Sequence, residues 1–118
     1  MDSNVSSSHH RWTTEDIKSK ITNSRVVVFA KGTPDCPRCG FSQMAFEEIS
    51  RSGVPFDCVD VSEDRSIAPA LKTYCGRQGL PLDLPLIYVD GELVSDSGHL
   101  IRDMDSGEIR SRIERALS

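Results

Sequence analysis

Two cysteines with two residues between them, Cys36 and Cys39, form the spacing in this sequence that most clearly points to chemistry. In a chain without export signals, such a pair indicates a redox-active or metal-binding site. A thiol attacks well only when ionised, and the free N–H groups at the start of a helix lower its pKa. We predict Cys39 at a helix start, with positive charge from Lys31 and Arg38 nearby. An anionic ligand or a soft metal at the same position stays an alternative.

The other two cysteines have no predicted role in the chemistry. Cys58 is expected in the middle of a strand, where a free cysteine usually serves core packing. Cys75 is expected near the end of a helix, where the helix dipole disfavours a thiolate, and it is left unassigned.

Composition is typical of one globular domain. The chain has 118 residues, of which 37% are hydrophobic and 27% charged. These values suit a single soluble core, and no run of roughly 20 apolar residues predicts a membrane span. The formal net charge is −4, and the sequence lacks a Lys/Arg cluster. Nucleic acid and anionic membrane are therefore not expected as partners.

The first residues are poor in apolar side chains. We predict a flexible tail over residues 1–11 and one domain over residues 12–118. Residues 1–10 contain neither the apolar stretch of a signal peptide nor the pattern of a transit peptide. A reducing compartment, the cytoplasm, is the expected location.

The elements around the cysteine pair are predicted from local signals. Thr13 and Asp16 resemble a capping box that starts a short first helix. A β-branched run over residues 25–30 predicts a strand buried on both faces. After a loop with Gly and Pro, apolar spacing predicts a helix over residues 40–50. Cys39 is thereby placed at a strand-to-helix junction.

The next two elements are a strand over residues 54–61 and a helix over residues 64–74. The helix is expected to turn Ala68, Leu71 and Cys75 to one side. Strand and helix thus continue to alternate through the middle of the chain.

The last third of the sequence predicts a β-hairpin followed by a helix. Strands over residues 86–89 and 92–94 flank Asp90-Gly91, a dipeptide favoured in two-residue hairpin turns. A helical pattern covers residues 100–117, with an interruption at Ser106-Gly107. The order βαβα, hairpin, α, with an extra N-terminal helix, predicts an α/β protein with a mixed sheet between helices.

Several sequence blocks carry a family resemblance. The residues Lys31-Gly32-Thr33-Pro34, then Pro37 and Cys39-Gly40-Phe41-Ser42, resemble the active-site segment of monothiol glutaredoxins. The stretch from Pro85 to Val94 and the segment Met104 to Ile109 also resemble that family. The resemblance spans roughly residues 12–113.

This resemblance implies a thioredoxin fold with a four-stranded mixed sheet, in which Pro85 is a cis-proline facing Cys39. Such proteins bind glutathione, and many hold a [2Fe–2S] cluster as dimers, through the active cysteine of each subunit and two glutathione thiolates. The implied function is that of a glutathione-dependent iron–sulfur cluster carrier or redox protein. Its partners would be protein thiols or iron–sulfur acceptor proteins, and it would form a homodimer when a cluster is bound.

The family's binding residues transfer to this chain position by position. Lys31 would meet the glycine carboxylate of glutathione, Leu84 would offer backbone hydrogen bonds, and Ser97 with Gly98 would face the γ-glutamyl end. Cys39 would be the iron ligand or the attacking thiolate. The implied binding set is completed by Phe41 of the Cys-Gly-Phe-Ser motif, by Lys72 and by Pro85.

Two departures from the family concern charged contacts with the ligand. Ala68 stands where the family commonly has an arginine, for which Lys72 or Arg65 would substitute. Gly98 stands where the family has an aspartate that pairs with the ligand's ammonium. Each missing charge-assisted contact is worth about 1.5–3 kcal/mol, so weaker glutathione binding is expected.

Cys36 adds a second motif, because Cys36-Pro37-Arg38-Cys39 also resembles the Cys-Pro-x-Cys of dithiol glutaredoxins. In that motif the first cysteine attacks and the second resolves the mixed disulfide. The Lys31 spacing favours Cys39 as the nucleophile, with Cys36 closing a disulfide on it in competition with cluster binding. Two further hypotheses stay open: a dithiol thiol–disulfide oxidoreductase, and a degenerate thioredoxin-fold interaction module.

Overall fold

The computed structural model describes residues 11–80 and 82–117. Five helices and four strands follow one another along these ranges: α1 (Thr14–Asn23), β1 (Val26–Ala30), α2 (Gly40–Arg51), β2 (Asp57–Asp60), α3 (Ile67–Arg77), β3 (Leu86–Val89), β4 (Glu92–Ser95), α4 (Leu100–Ser106) and α5 (Glu108–Leu117). The predicted tail over residues 1–11 lies outside the described residues, apart from Arg11. None of the helices in the described ranges combines the length and the apolarity needed to cross a membrane.

The sheet has the strand order β2-β1-β3-β4. β1 pairs with β2 in parallel and with β3 antiparallel, and β3 pairs with β4 antiparallel. All five residues of β1 are buried, as expected for a central strand covered on both faces. This confirms the predicted mixed sheet.

Helices cover both faces of the sheet, because β1 sends alternate side chains to opposite sides. On one side Val27 and Phe29 pack with buried residues of α1 and α3. On the other side Val26 and Val28 pack with buried residues of α2, α4 and α5. The result is a layer of sheet between two layers of helix.

Local signals in the sequence are confirmed at three places. Thr13 caps α1, since its hydroxyl accepts from the Asp16 N–H at 3.3 Å while the Asp16 carboxylate accepts from the Thr13 N–H at 2.8 Å. Asp90 and Gly91 both have positive φ, 54° and 84°, as a two-residue turn of this kind requires. Gly107, with φ 78°, separates α4 from α5.

Two predicted boundaries are wrong. The strand predicted over residues 54–61 is shorter, Asp57–Asp60, because Pro55 has no N–H to give to a ladder. The helix predicted over residues 64–74 is Ile67–Arg77. It starts late because the Asp64 carboxylate accepts from the Ser66 N–H at 2.8 Å and forms a turn before the helix.

This shift also corrects the buried face of α3. Leu71 and Cys75 are buried as predicted, but Ala68 is only half-buried. Ile67 and Ala70 pack into the core in its place. The register of the helix follows from its later start.

The strand pairing gathers distant segments at one edge of the sheet. Ala30 at the end of β1 pairs with Asp60 at the end of β2, Phe29 pairs with Leu86, and Ile87 pairs with Ser95. The segments that follow β1, β2 and β4, and the segment that precedes β3, therefore all leave the sheet on the same side. We call this side the site edge.

Candidate functional site

A short hairpin over residues 31–38, the site hairpin, carries the chain from β1 to α2. The Arg38 N–H donates to the Lys31 carbonyl at 3.0 Å, and Gly32 pairs with Pro37 in an antiparallel bridge. At the tip, Thr33 and Cys36 exchange backbone hydrogen bonds of 3.2 and 3.0 Å. These hydrogen bonds fold residues 31–38 into a hairpin, whereas the sequence predicted only a loop there.

Gly32 is the residue that lets the two arms of the site hairpin approach. Its φ is +93°, a region that side chains disfavour. A Cβ built on it would lie 2.4 Å from the Cys36 carbonyl oxygen and 2.6 Å from the Arg38 nitrogen. Both are backbone atoms, so no side-chain movement would relieve the clash.

Cys39 is the N-cap of α2, as the sequence predicts. Its backbone is extended, with φ −156° and ψ 161°, and its carbonyl accepts the Gln43 N–H at 3.1 Å. Its Sγ accepts the Ser42 N–H at 3.4 Å, in the position that a capping oxygen usually takes. The sulfur thus satisfies one of the free N–H groups of the helix start.

The Ser42 hydroxyl is the closest polar partner of this sulfur. Its Oγ lies 3.1 Å from Cys39 Sγ and accepts the Lys31 N–H at 3.3 Å. Ser42 is 0% exposed, so solvent does not compete for these bonds. When Cys39 is a thiolate it has no proton to give, and the hydroxyl is then the donor.

These contacts lower the pKa of Cys39 below the ordinary value for a thiol. The Ser42 hydroxyl is the main cause; burial opposes it, while the N–H groups of Ser42 and Phe41 and the charge of Lys31 reinforce it. The sulfur is only half-buried. Cys39 therefore combines a favoured thiolate with access for a reactant.

The other cysteines have different surroundings, and all four thiols, each within the described residues, are free. Burial, with the charges of Asp60 and Glu63, raises the pKa of Cys58 to about 11. Burial also raises the pKa of Cys75, whose sulfur lies 3.9 Å from the Tyr88 hydroxyl. Cys36 is exposed near the tip of the site hairpin.

The Leu84–Pro85 peptide bond is cis, as the family resemblance implies. Pro85 is buried directly before β3, at the site edge, and Leu84 is half-buried. The Ser97 N–H donates to the Asp83 carbonyl at 3.1 Å, which ties the turn after β4 to this proline segment. The pairing of β1 with β3 therefore brings both segments to the edge that carries Cys39.

The turn after β4 holds a carboxylate at a position that the sequence did not single out. Asp96 is buried, and its Oδ1 accepts the His99 N–H at 3.1 Å and lies 2.8 Å from His99 Nδ1. Ser97 is half-buried and Gly98 is exposed. The acidic group of this turn is thus engaged by His99, two positions before the residue where the resemblance implies a carboxylate.

The remaining predicted residues lie on the surface. Lys31 is exposed at the start of the site hairpin, and Phe41, in the first turn of α2, is 42% exposed. Lys72 is exposed in the middle of α3. The segments that carry the other predicted residues all lie at the site edge.

Cys39 lies outside the cavity next to β4. This cavity of about 620 Å³ is lined by residues of β4, α4 and the turn between them. Among residues 11–80 and 82–117, no group of three His, Cys, Asp or Glu side chains is placed to hold a metal ion. A metal bound by Cys39 would therefore need donors from beyond these residues.

Sequence reasoning quoted Ser42 only as part of a motif and assigned no role to Asp60. The role of Ser42 follows from the helix cap, for which the spacing of three residues from Cys39 was an available signal. Asp60 meets the site hairpin through the register of β2 on β1. No local pattern indicates that contact.

Comparisons with known proteins find one family. A family model described as Glutaredoxin matches residues 26–94. The uncharacterized monothiol glutaredoxin ycf64-like of Synechocystis sp. is 34% identical over 102 residues, which cover 86% of this chain and 92% of that protein.

Solved structures share the fold. The solution structure of reduced poplar apo GrxS14 has a TM-score of 0.70 at 31% identity, covering 87% of this chain and 91% of that one. The crystal structure of a buckwheat glutaredoxin–glutathione complex has a TM-score of 0.68 at 13% identity, covering 87% and 88%. The architecture is therefore a thioredoxin-like fold.

Proposed function

Since the chain belongs to the glutaredoxin family, we propose that it is a glutathione-dependent redox protein and iron–sulfur cluster carrier that acts through Cys39. One observation supports this most strongly. The Cys39 sulfur is half-exposed at a helix start, within 3.1 Å of the Ser42 hydroxyl, and its pKa is lowered. Such a thiolate serves both as a nucleophile and as a soft metal ligand.

In the redox reaction, the Cys39 thiolate attacks the glutathione sulfur of a protein–glutathione mixed disulfide. A new disulfide joins Cys39 to glutathione, and the protein leaves as a thiolate that takes a proton from solvent. A second glutathione thiolate then attacks the glutathione sulfur on Cys39 and releases glutathione disulfide. The Ser42 hydroxyl and the helix N–H groups stabilise the Cys39 thiolate before attack and as the leaving group.

Glutathione would lie across the site edge. Lys31 would bind a carboxylate, the backbone beside cis-Pro85 would bind the peptide part of the ligand, and the turn with Ser97 and Gly98 would take the other end. The buckwheat relative was solved as a complex with glutathione. Phe41, two residues after Cys39, offers exposed apolar surface for the ligand.

Calorimetric titration with glutathione tests this binding. We expect Lys31→Ala to weaken binding about tenfold, because one charge-assisted contact is lost. Lys18→Ala, which removes an exposed lysine of α1, is the matched control. Lys72→Ala should have a smaller effect than Lys31→Ala. Undetectable binding by the wild type would favour the interaction-module hypothesis instead.

The cluster is cargo that the described residues of one chain are not equipped to hold alone. A [2Fe–2S] cluster usually takes four cysteine thiolates, whereas the described residues contain no metal-ligating group of three side chains. Cys39 of one copy would supply a single ligand. We propose that Cys39 of a second copy and two glutathione thiolates complete the set, so that the cluster-bound form is a homodimer.

Anaerobic reconstitution with ferrous iron, sulfide and glutathione tests the carrier function. The wild type should become a brown dimer on size exclusion, with visible absorbance that Cys39→Ser abolishes. Cys36→Ser is the matched control and should keep the colour. A wild type that stays colourless and monomeric would overturn the carrier proposal.

The proposed partners are acceptor iron–sulfur proteins and protein thiols. The proposed location is a reducing compartment, the cytoplasm.

A dithiol oxidoreductase is a second candidate, favoured by the exposed free thiol of Cys36 three residues before Cys39. In that case both cysteines are required to reduce a protein disulfide. The variant that lacks the resolving cysteine traps a mixed disulfide with the substrate protein, whereas the variant that lacks the attacking cysteine traps none. Mass spectrometry of the trapped species distinguishes the two functions. The dithiol hypothesis fails if Cys36→Ser retains full activity.

A further inference from the structure

Two side chains of β2 form hydrogen bonds with the peptide groups of Gly32 in the site hairpin. Asp60 Oδ1 accepts the Gly32 N–H at 2.9 Å, and Cys58 Sγ donates to the Gly32 carbonyl at 3.8 Å. Cys58 and Asp60 are two residues apart, so they lie on the same face of the strand. We call this pair of contacts the β2 clamp.

Asp60 is the strong member of the β2 clamp. Its Oδ1 also accepts the Ser62 N–H at 2.9 Å and the Ser62 hydroxyl at 2.6 Å. Burial works to raise the pKa of Asp60, but the hydrogen bonds from Ser62 and Gly32, together with the positive charge of Arg38 in the site hairpin, outweigh it and lower that pKa. The carboxylate is therefore held charged, and a charged acceptor makes the stronger hydrogen bond.

The β2 clamp connects to Cys39 through adjacent backbone groups. Gly32 follows Lys31, whose N–H donates to Ser42 Oγ at 3.3 Å. The same oxygen lies 3.1 Å from Cys39 Sγ. Because the Lys31 N–H occupies one lone pair of the hydroxyl, it helps to orient the hydroxyl proton toward the sulfur. Fixing the Gly32 peptide thus fixes the group that orients Ser42.

We propose that Asp60 is a positioning residue for the Cys39 thiolate, acting through Gly32, Lys31 and Ser42. The inference rests on the proposed function in one respect, that Cys39 is the reacting thiol. A direct electrostatic effect of Asp60 on Cys39 would act in the opposite direction. A nearby negative charge disfavours a thiolate, so removing Asp60 would then raise the reactivity of Cys39, whereas loss of positioning lowers it. The direction of the change in Cys39 reactivity therefore separates positioning from charge.

Alkylation by iodoacetamide as a function of pH measures this reactivity. Trypsin cuts after Arg38 and Arg51, so Cys39 lies alone in the peptide 39–51. The other three cysteines fall in the separate peptides 32–38, 52–65 and 73–77. Mass spectrometry of the digest then gives the rate at Cys39 without replacing another cysteine.

Three variants make the test. Asp60→Ala removes the acceptor, and Asp60→Asn keeps an acceptor oxygen without the charge. Asp57→Ala is the matched control, because Asp57 lies on the same strand but contacts Ser24 and Lys20 rather than the site hairpin. Circular dichroism establishes that each variant is folded.

We expect Asp60→Ala to slow Cys39 alkylation about two- to tenfold near neutral pH, the effect of weakening one hydrogen bond to the sulfur. The midpoint of its pH profile should move upward. Asp60→Asn should recover part of the rate, and Asp57→Ala should match the wild type. If Asp60→Ala does not fold, Asp60→Asn decides alone. A Cys39 alkylation rate below that of the wild type then supports the positioning role, and an equal or higher rate contradicts it.

Two results would overturn the inference, and they differ in meaning. A midpoint in the folded Asp60 variants that is unchanged or moved downward removes the positioning role and leaves the proposed function intact. A wild-type Cys39 with the ordinary midpoint of a thiol removes the premise of the proposed function as well.

Discussion

Replacing Ser42 by alanine removes the group that contributes most to the lowered pKa of Cys39. The substitution deletes the Oγ atom 3.1 Å from the sulfur and leaves the Ser42 N–H, 3.4 Å away, in place. The Lys31 N–H also loses its partner, so the fold loses one part-buried hydrogen bond as well. The substitution therefore acts mainly on the thiolate and more weakly on the fold.

The size of this effect follows from the hydrogen bond that is lost. A hydrogen bond to a charged group is worth about 1.5–3 kcal/mol, and sulfur is a weaker acceptor than oxygen, so about 1–1.5 kcal/mol is reasonable. At a pH below the pKa, the fraction of Cys39 present as thiolate should fall about five- to tenfold. The free energy of unfolding should fall by about 1 kcal/mol or less.

The ultraviolet absorbance of the thiolate, titrated with pH, provides the assay. Subtracting the titration of Cys39→Ser isolates the signal of Cys39. Because the thiolate is less stabilised in Ser42→Ala, its titration should move to higher pH. Ser42→Thr keeps a hydroxyl and should stay close to the wild type, and Ser50→Ala, at an exposed position of α2, should not move. A Ser42→Ala curve that superimposes on the wild type would refute the assigned role of the hydroxyl.

Three further predictions concern the surroundings of the site. Gly32→Ala should destabilise the protein and slow Cys39 alkylation, since its Cβ would lie 2.4 Å from a backbone oxygen; unchanged urea unfolding would contradict this. Arg110→Ala should lower the free energy of unfolding in urea by about 2 kcal/mol, because the buried Glu48 carboxylate, in a residue 1% exposed, loses its ion pair with Arg110 at 3.1 Å. Arg51, 3.7 Å from the same carboxylate, keeps the loss below the usual 3–5 kcal/mol for a broken buried pair. Cys58 should react with iodoacetamide only as the pH approaches its pKa of about 11, and fast labelling of Cys58 in the native protein near neutral pH would show that its burial is not maintained.

Features within a few residues of one another were predicted well. The capping pair Thr13 and Asp16, the turn at Asp90-Gly91 and the helix start at Cys39 depend on contacts between residues at most four apart. Such contacts follow from residue type and spacing alone. The site residue that the sequence favoured, Cys39, is found at its predicted position for this reason.

Boundaries set by competing interactions were predicted less well. The late start of α3 results from a side-chain turn at Asp64, which the apolar periodicity did not indicate. The short β2 reflects which residues find partners on β1, and a single strand does not specify its own pairing. The two errors have different causes: a local side-chain turn delays the start of α3, whereas the length of β2 depends on Pro55 and on the pairing with β1.

From the sequence alone it was possible to predict that Cys39 lies at a helix start and that strands and helices follow in the order found, because both depend on short-range spacing. Only the tertiary structure decided that Asp60 accepts a hydrogen bond from Gly32 and that the buried Ser42 hydroxyl accepts one from the Lys31 backbone beside the sulfur. The contacts of Asp60 and of Lys31 cross from one element to another, so they exist only once the register of the sheet and the packing of α2 have been set.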